Sequence, residues 1–188
     1  MSKTIEYSFN GYAATVITPD KPNGKWIWKT EFLYAFDKAE QALVEDGYTR
    51  VNYKISDMYG SYNAVRLMHA FHLDLLTRFP LCKKANLFGF SRGGLYAFNY
   101  SLFYPEYVDK VYLDAPVLDL ASWPWEDSPE QAGMLEEYCL TKDTLKKFKG
   151  SPVYNFKEFF SNKLPLLVIA GGSDEVVKFE ENAGKLID

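Results

Sequence analysis

The sequence predicts a single α/β domain: a doubly wound, mostly parallel sheet flanked by helices. Short apolar runs alternate along the chain with amphipathic segments of about 10 to 16 residues, as parallel strands and their crossover helices require. The chain has 188 residues, 47% of them hydrophobic, which suits one globular domain with a sizeable core. Two apolar runs end abruptly at turns that contain Ser91 and Asp174. In such sheets, sites lie at the carboxyl ends of the strands, so both turns are candidate sites.

Composition and charge narrow the partners of this domain. The net charge is −4, and no basic cluster is visible, which argues against nucleic-acid binding. No apolar run approaches the roughly 20 residues of a membrane helix. The N-terminal segment has no apolar core of a signal peptide, so we expect a cytoplasmic protein unless its N-terminus has been trimmed. Nothing in the sequence sets an oligomeric state.

Cofactor and metal motifs are not found either. The pair Gly93-Gly94 has neither the phosphate-loop nor the dinucleotide-binding spacing, so we expect no cofactor. His69 and His72 are three residues apart on a predicted helix, without the neighbouring ligands of a metal site. We therefore expect no metal and interpret them as a packed or surface pair. Cys82 and Cys139 lack any motif spacing, which predicts reduced, buried thiols.

The first half of the chain predicts two strands, a helix, a third strand and a second helix. Residues 12–18 and 26–30 are apolar strand candidates, separated by a turn-rich segment. Residues 31–46 have a helical apolar spacing that stops at Gly47. Residues 51–56 alternate between apolar and polar, which predicts a strand with one polar side. A helix follows over residues 63–79 and ends at Pro80. The spacing of the first helix is carried by Phe32, Phe36, Ala39 and Leu43.

The second half repeats this alternation. Strands are predicted over residues 85–90, 110–113 and 164–170, with a helix over 95–104 that ends at Pro105. Residues 117–163 are irregular, with helix-like pieces and many aromatic residues. The last residues, from 180 onward, begin a helical pattern that the sequence does not finish.

The segment Gly89-Phe90-Ser91-Arg92-Gly93 lies between a predicted strand and a predicted helix. Small residues on either side of the serine let strand and helix approach each other, and the hydroxyl then points to the helix N-terminus. The backbone N–H of Arg92 would be one donor of an oxyanion hole. The context therefore predicts that Ser91 is a nucleophile, against the alternative of a glycine-rich turn with an idle serine.

On these residues the chain resembles the α/β-hydrolases. The stretch that begins GFSRGGLYAF is similar to the elbow of that superfamily, and the element order agrees over essentially the whole chain. The runs WIWKTEF, DAPVLDLASWP and GSDEVVKFEEN further resemble a bacterial subgroup of esterase-like hydrolases. The resemblance implies a serine–acid–histidine triad in that chain order, and a final strand and helix beyond those visible here.

The resemblance also implies the remaining site residues. Asp174, in the turn after the last strand, would be the acid, and Asp114 is the second candidate. The second oxyanion donor should follow the 26–30 strand, where no glycine-rich motif occurs, and a backbone N–H near Trp28 is our candidate. The alternative is that Trp26 and Trp28 simply pack.

The general base is missing from this pattern. The two histidines precede the nucleophile, whereas the triad order places the base after Asp174. We interpret the chain as a C-terminally shortened hydrolase; a degenerate homologue is the alternative. A sheet without its last strand and helix would expose a strand edge and an apolar face.

Residues 117–163 resemble the cap or lid insertion that covers the serine in this superfamily. Trp123 and Trp125 are our candidates for the substrate pocket. The function expected is a serine hydrolase that cleaves a small-molecule carboxylic ester through an acyl-enzyme on Ser91. The alternative is a non-catalytic binding or scaffold protein that has lost the histidine.

Overall fold

A computed structural model describes residues 2–187 and contains a seven-stranded sheet. The strand order is β1-β2-β4-β3-β5-β6-β7. The β1–β2 and β2–β4 pairs are antiparallel, and the others are parallel, which confirms the predicted fold class. The strands are β1 (Lys3–Phe9), β2 (Tyr12–Thr18), β3 (Trp26–Lys29), β4 (Thr49–Tyr53), β5 (Ala85–Phe90), β6 (Val108–Asp114) and β7 (Leu166–Ile169).

Helices cover both faces of the sheet. The helix α3 packs on β5 and β6, on the face where Leu113 lies, and α2 packs against α3. The short helix α1 lies on the opposite face, where Ala39 and Leu43 border a groove over Phe88 and Tyr112. The helices are α1 (Lys38–Glu45), α2 (Tyr62–Arg78), α3 (Gly93–Phe103), α4 (Pro129–Glu137), α5 (Lys142–Leu145) and α6 (Phe156–Ser161).

The segment between β6 and β7 has two parts. Its middle forms α4 and α5, and its end forms α6, which returns to the body of the domain. There the rings of Phe159 and Phe98 stack at 4.6 Å, and Phe156 meets Phe98 edge-on at 5.6 Å. Several aromatic residues of the 117–163 region therefore belong to the domain core rather than to a surface lid.

The structure corrects the predicted first helix. Residues 31–37 are irregular, and the helix begins only at Lys38. Phe32 and Phe36 have φ angles of 53° and 50°, a left-handed conformation that no α-helix accommodates, and both rings are exposed. The apparent apolar spacing of these two residues was therefore misleading.

Three further elements differ from expectation: β1, β4 and the C-terminal segment. β1 was not predicted, because its sequence is polar and it pairs at the sheet edge. Of the residues expected to form the polar side of the 51–56 strand, Lys54 is exposed and Ser56 is partly exposed, but Asn52 is buried and donates a hydrogen bond to the Lys29 carbonyl at 2.8 Å. Arg50 of β4 is also buried, and it pairs with Asp37 at 2.8 Å. Instead of a final helix, the chain forms two 3₁₀ turns, Phe179–Glu181 and Ala183–Leu186.

The last strand leaves an open edge and an apolar groove. No strand of the described part of the chain pairs with the outer edge of β7. Leu167 and Ile169 on this strand are more than half exposed, at 58% and 52%. They border a groove of ≈ 590 Å³ with Ile27 and Phe88. The outer edge of β7 and the apolar surface beside it are therefore exposed in the described part of the chain.

Two smaller expectations concern the cysteines and the membrane. Cys82 and Cys139 are both exposed free thiols, so the expectation that they are buried was wrong. Both lie in connecting segments rather than on a core face of an element. No helix within residues 2–187 is long and apolar enough to cross a membrane.

The high aromatic content of the chain is concentrated in a core between the sheet and α2 and α3. The indole rings of Trp26 and Trp28 stack at 5.8 Å, and Trp28 also packs on Phe71 and Tyr100 at 5.5 Å each. Both tryptophans are almost completely buried. This cluster holds the two helices on the sheet through ring contacts.

The two histidines belong to this aromatic core. His69 stacks on Tyr104 at 3.8 Å. His72 is fully buried, with Nε2 2.8 Å from the Lys83 carbonyl and Nδ1 2.8 Å from the Tyr100 hydroxyl. Because a carbonyl only accepts, Nε2 carries the proton, and Nδ1 accepts from Tyr100. Both ring nitrogens of the neutral imidazole are therefore satisfied, and burial lowers the pKa of His72 to about 4.

This burial predicts a pH-dependent stability. The unfolded chain binds a proton at His72 below about pH 6.5, whereas the folded chain does so only near pH 4. The free energy of unfolding should therefore fall by up to about 3 kcal/mol as the pH decreases from 6.5 to 4. Urea unfolding of the wild type and of His72→Gln at pH 7 and pH 4.5 separates this contribution from that of the carboxylates. An equal loss of stability in both proteins would contradict this assignment.

Candidate active site

Ser91 forms a tight reversal between β5 and α3. Its φ is +53°, in the left-handed region that a serine rarely adopts. Its N–H donates to the Asp114 carbonyl at 2.9 Å, and its carbonyl accepts from Gly94 and Val117, each also at 2.9 Å. The backbone of Ser91 is thus held on both sides, and its partly exposed side chain stands at the N-terminus of α3.

Two glycines let the strand and the helix come this close. A Cβ on Gly89 would lie 2.8 Å from the Gly93 carbonyl and 3.0 Å from the Cβ of Ala97. A Cβ on Gly93 would lie 2.9 Å from Oγ1 of Thr30. The 2.8 Å distance at Gly89 and the 2.9 Å distance at Gly93 are too short for a real Cβ. The glycine on each side of Ser91 is therefore required sterically, as the motif predicts.

The loop after β3 is fastened to this reversal. The N–H of Thr30 donates to the Phe88 carbonyl at 3.0 Å, and its hydroxyl donates to the Gly93 carbonyl at 2.8 Å. The backbone N of Glu31 lies 3.4 Å from the position of a Cβ on Gly93. The start of this loop therefore lies directly beside the N-terminus of α3.

The structure does not bring Trp28 to the elbow. Trp28 lies within β3, paired with Val51 on one side and Leu87 on the other, and its indole is in the aromatic core. The prediction placed the donor too early, because β3 continues to Lys29 before the loop begins. After Thr30, the loop residues Glu31 and Phe32 also lie beside the elbow.

An ion pair connects this loop to the elbow. Nε of Arg92 donates to Oε2 of Glu31 at 3.0 Å, and the hydroxyl of Ser56 donates to Oε1 at 2.7 Å. Glu31 is only 2% exposed, so a paired carboxylate is buried beside the elbow at Ser91. The Arg92 guanidinium also lies 5.0 Å from the centre of the Phe32 ring. Glu31 was not among the predicted site residues; a charged residue directly after an apolar strand is the signal that could have indicated it.

Asp174 lies in the turn after β7. Its Oδ1 accepts hydrogen bonds from the backbone N–H groups of Val176 and Val177 at 2.9 and 3.0 Å. These bonds fix the carboxylate and order the turn. Within the described chain, no side chain donates to Oδ2, which stays free for a further donor.

The strand ends place Ser91 and Asp174 along the same edge of the sheet. Ser91 follows β5 and is bonded to the end of β6, and the Ala115 N–H at the end of β6 donates to the Ile169 carbonyl of β7 at 2.8 Å. The two side chains therefore follow strands that are separated by β6 alone, at the carboxyl edge where sites are expected.

Asp114, the second candidate acid, is already engaged. Its Oδ2 accepts from the hydroxyl of Tyr112 at 3.0 Å, two residues earlier on the same face of β6. Burial and this hydrogen bond raise the pKa of Tyr112 to about 12. Its side chain therefore lies on the face of the sheet that carries Tyr112 and α1.

Neither histidine is near Ser91. His72 bonds to Lys83, which precedes β5, whereas Ser91 follows it. The six residues of β5 span about 20 Å, so the two groups lie at opposite ends of the strand. The 188 residues therefore supply no imidazole at the nucleophile.

The candidate pocket residues Trp123 and Trp125 lie in the segment between β6 and β7. The Trp123 ring is 6.4 Å from that of Tyr59, and Trp125 is largely exposed. Burial raises the pKa of Tyr59, and the nearby positive charge of Arg92 partly opposes this rise. Tyr138 of the same segment donates to the Tyr59 carbonyl at 3.0 Å. The segment thus approaches the elbow through Tyr59.

Comparisons with known proteins agree with this architecture. No protein-family model matches the sequence, and no curated protein sequence does. Solved structures match at low identity. The S-formylglutathione hydrolase FrmB from Staphylococcus aureus has a TM-score of 0.71 at 15% identity, over 100% of this chain and 85% of that one. The esterase Pf2001 from Pyrococcus furiosus has a TM-score of 0.63 at 16% identity, over 99% and 76%.

A third neighbour is FphF, a fluorophosphonate-binding serine hydrolase from Staphylococcus aureus. Its TM-score is 0.68 at 16% identity, over 98% of this chain and 83% of that one. Together with the strand order and the elbow, these likenesses identify the fold: the chain has the α/β-hydrolase fold.

The packing at the elbow predicts a difference between two glycine substitutions. Gly93→Ala should lower the free energy of unfolding by about 1–3 kcal/mol, because the new methyl group would overlap with Thr30 and Glu31. Gly172→Ala is the matched control, since its methyl group would meet open space. Urea unfolding measures both. A Gly93→Ala protein as stable as the wild type would contradict the close approach of the β3–α1 loop.

Proposed function

We propose that this chain carries the nucleophile and the oxyanion hole of a serine hydrolase that cleaves carboxylic esters. The observation that carries the proposal is the left-handed reversal at Ser91, between a buried strand and the N-terminus of α3. A serine held in this way presents its hydroxyl to substrate, beside backbone amides and the positive end of a helix.

The reaction would proceed in two steps. Oγ of Ser91 attacks the carbonyl carbon, its proton passes through a base to the leaving alcohol, and the C–O bond of the ester breaks to form an acyl-enzyme. Water then attacks the acyl group, and Ser91 regains its proton. The N–H of Arg92 would donate to the oxyanion. The second donor would be the N–H of Glu31 or Phe32, which replaces our expectation of Trp28.

The acid of the triad would be Asp174. Its Oδ1 is held by two backbone amides, which leaves Oδ2 to orient an imidazole and to stabilise its positive charge. Asp114 is the weaker candidate, because Tyr112 occupies its carboxylate. Trp123 and Trp125 would contribute to the wall of the substrate pocket, from the segment that approaches Tyr59.

Two alternatives differ in whether a histidine acts as the general base for Ser91. In the first, a histidine outside these 188 residues completes the triad of a longer protein. In the second, the chain has the fold but acts as a non-catalytic binding or scaffold protein. The elbow and the free oxygen of Asp174 favour the longer hydrolase. The position of His69 and His72 in the core favours the binding or scaffold protein.

The substrate is expected to be a small ester-type molecule. The structural neighbours include enzymes named as hydrolases of S-formylglutathione, which is a thioester, and a serine hydrolase named for binding fluorophosphonate. These names support the choice of an acyl substrate and of a phosphonate probe.

A fluorophosphonate probe tests the nucleophile directly. The reagent should form a P–O bond with Oγ of Ser91 and release fluoride, which intact-protein and peptide mass spectrometry detect. Because the chain lacks a base at this site, we expect slow labelling that becomes faster when free imidazole is added. Ser91→Ala should not be labelled at any imidazole concentration.

The matched control is Ser8→Ala, at an exposed position of β1, which should be labelled at the wild-type rate. If the folded chain shows no labelling that depends on Ser91, even with imidazole, the hydrolase proposal fails and the binding-protein alternative is supported.

A further inference from the structure

A second cavity begins directly beside the elbow. It has a volume of ≈ 470 Å³ and lies between residues 31–34, the end of β4 and the β1–β2 hairpin. We call it the loop groove. Its lining includes Phe32, Tyr34, Asn52, Lys54, Ser56 and Arg92. The loop groove is separate from the apolar groove under β7 and has a different character, because most of these side chains are polar.

Two exposed aromatic rings project from the loop that borders this groove. Phe32 is 40% exposed and Tyr34 is 67% exposed. Each ring is backed by a guanidinium group: Arg92 lies 5.0 Å from the centre of Phe32, and Arg50 lies 5.8 Å from the centre of Tyr34. One side of each ring is therefore occupied, and the exposed remainder is accessible to a ligand.

The two arginines are themselves held in place. Arg92 pairs with Glu31 at 3.0 Å, and Arg50 pairs with Asp37 at 2.8 Å and donates to the Leu33 carbonyl. Both ion pairs are largely buried on at least one side, so they are weakly screened by solvent. The rings consequently rest on fixed supports, which lowers the entropy lost when a ligand stacks on them.

The charges of the loop groove balance. Its lining contains two carboxylates, Glu6 and Glu31, and two cations, Lys54 and Arg92. Glu31 and Arg92 neutralise each other directly. A site without net charge favours an uncharged ligand, while the carboxylates, amide, hydroxyls and ammonium group supply both donors and acceptors. Aromatic rings beside such groups suit a ligand with an apolar C–H face and many hydroxyls.

The loop groove reaches the residues that flank Ser91, through Phe32 and Arg92. The Phe32 ring lies 5.8 Å from the ring of Phe90, the residue before Ser91, and it contacts Arg92, the residue after it. A ligand that stacks on this ring would therefore lie close to the two residues that flank Ser91. An acyl group attached to a hydroxyl of this ligand could then extend toward Ser91.

We propose that the loop groove binds a neutral carbohydrate, and that the ester cleaved at Ser91 is an acylated sugar. The ester part of this statement rests on the proposed function, whereas carbohydrate binding does not require catalysis. A sugar ring would stack on Tyr34 and Phe32 and exchange hydrogen bonds with the polar side chains of the groove.

Direct binding tests the proposal. We would titrate the folded chain with xylotetraose and cellotetraose and follow its ¹H–¹⁵N spectrum, with tetraethylene glycol as a non-sugar polyol and tetragalacturonic acid as an anionic sugar. We expect at least one neutral tetrasaccharide to shift the signals of residues 31–34 and 52–56, and the two comparison compounds to have no such effect. Tyr34→Ala should weaken this binding about tenfold through loss of stacking.

Three variants complete the design. Tyr34→Phe keeps the ring and should bind as the wild type does. Ser91→Ala should also retain binding, because it changes only the nucleophile. Tyr62→Ala is the matched control, since it removes an equally exposed tyrosine from α2, outside the loop groove.

The outcomes separate this inference from the proposed function. Saccharide binding that is lost in Tyr34→Ala supports the carbohydrate site, whether or not Ser91 reacts with fluorophosphonate. If neither tetrasaccharide shifts the groove signals, or if Tyr34→Ala binds as tightly as the wild type, the inference is overturned even when Ser91 is reactive. Stronger binding of the anionic sugar would overturn the assignment of a neutral ligand.

Discussion

The close approach of β5 and α3 at Ser91 is the constraint on which the rest of the site depends. A methyl group on either flanking glycine would overlap with the facing segment, and the serine adopts a left-handed φ of +53° to join the two elements. The same reversal places Arg92 at the carboxyl edge of the sheet. The glycine at position 93 leaves room for Thr30 and Glu31 beside α3. The proposed nucleophile, the proposed oxyanion donors and the position of the loop groove all depend on this packing.

The elbow and the central strands could be predicted from the sequence because their signals are local. A glycine on each side of Ser91 and an apolar run before it are sufficient to indicate a strand, a tight turn and a helix. The loop after β3 could not be predicted in this way. Phe32 and Phe36 have a helical spacing, yet the loop conformation is set by Arg50 and Arg92, which are distant in sequence. The same reason explains why Asn52 was expected to face solvent: its buried partner, the Lys29 carbonyl, lies in another strand.

The ion pair between Glu31 and Arg92 lies between the proposed oxyanion donors and the loop groove. It joins the two segments whose amides would bind an oxyanion, and it supports the Phe32 ring that borders the loop groove. A buried carboxylate left without its arginine is costly, so neither residue can change alone without disturbing the elbow. By contrast, the histidines lie at the other end of β5 and contribute to the aromatic core. Catalytic positioning and core stability are thus separated along the length of the sheet.

The most direct test of this account is a crystal structure of the chain after reaction with a small methylphosphonofluoridate. The account predicts a phosphorus atom bonded to Oγ of Ser91, with the phosphoryl oxygen about 3 Å from the N–H of Arg92 and from that of Glu31 or Phe32. The backbone of Ser91 should keep its positive φ. A phosphonate bound to a different residue, or a phosphoryl oxygen directed away from both amides, would contradict the assignment of the nucleophile and its oxyanion hole.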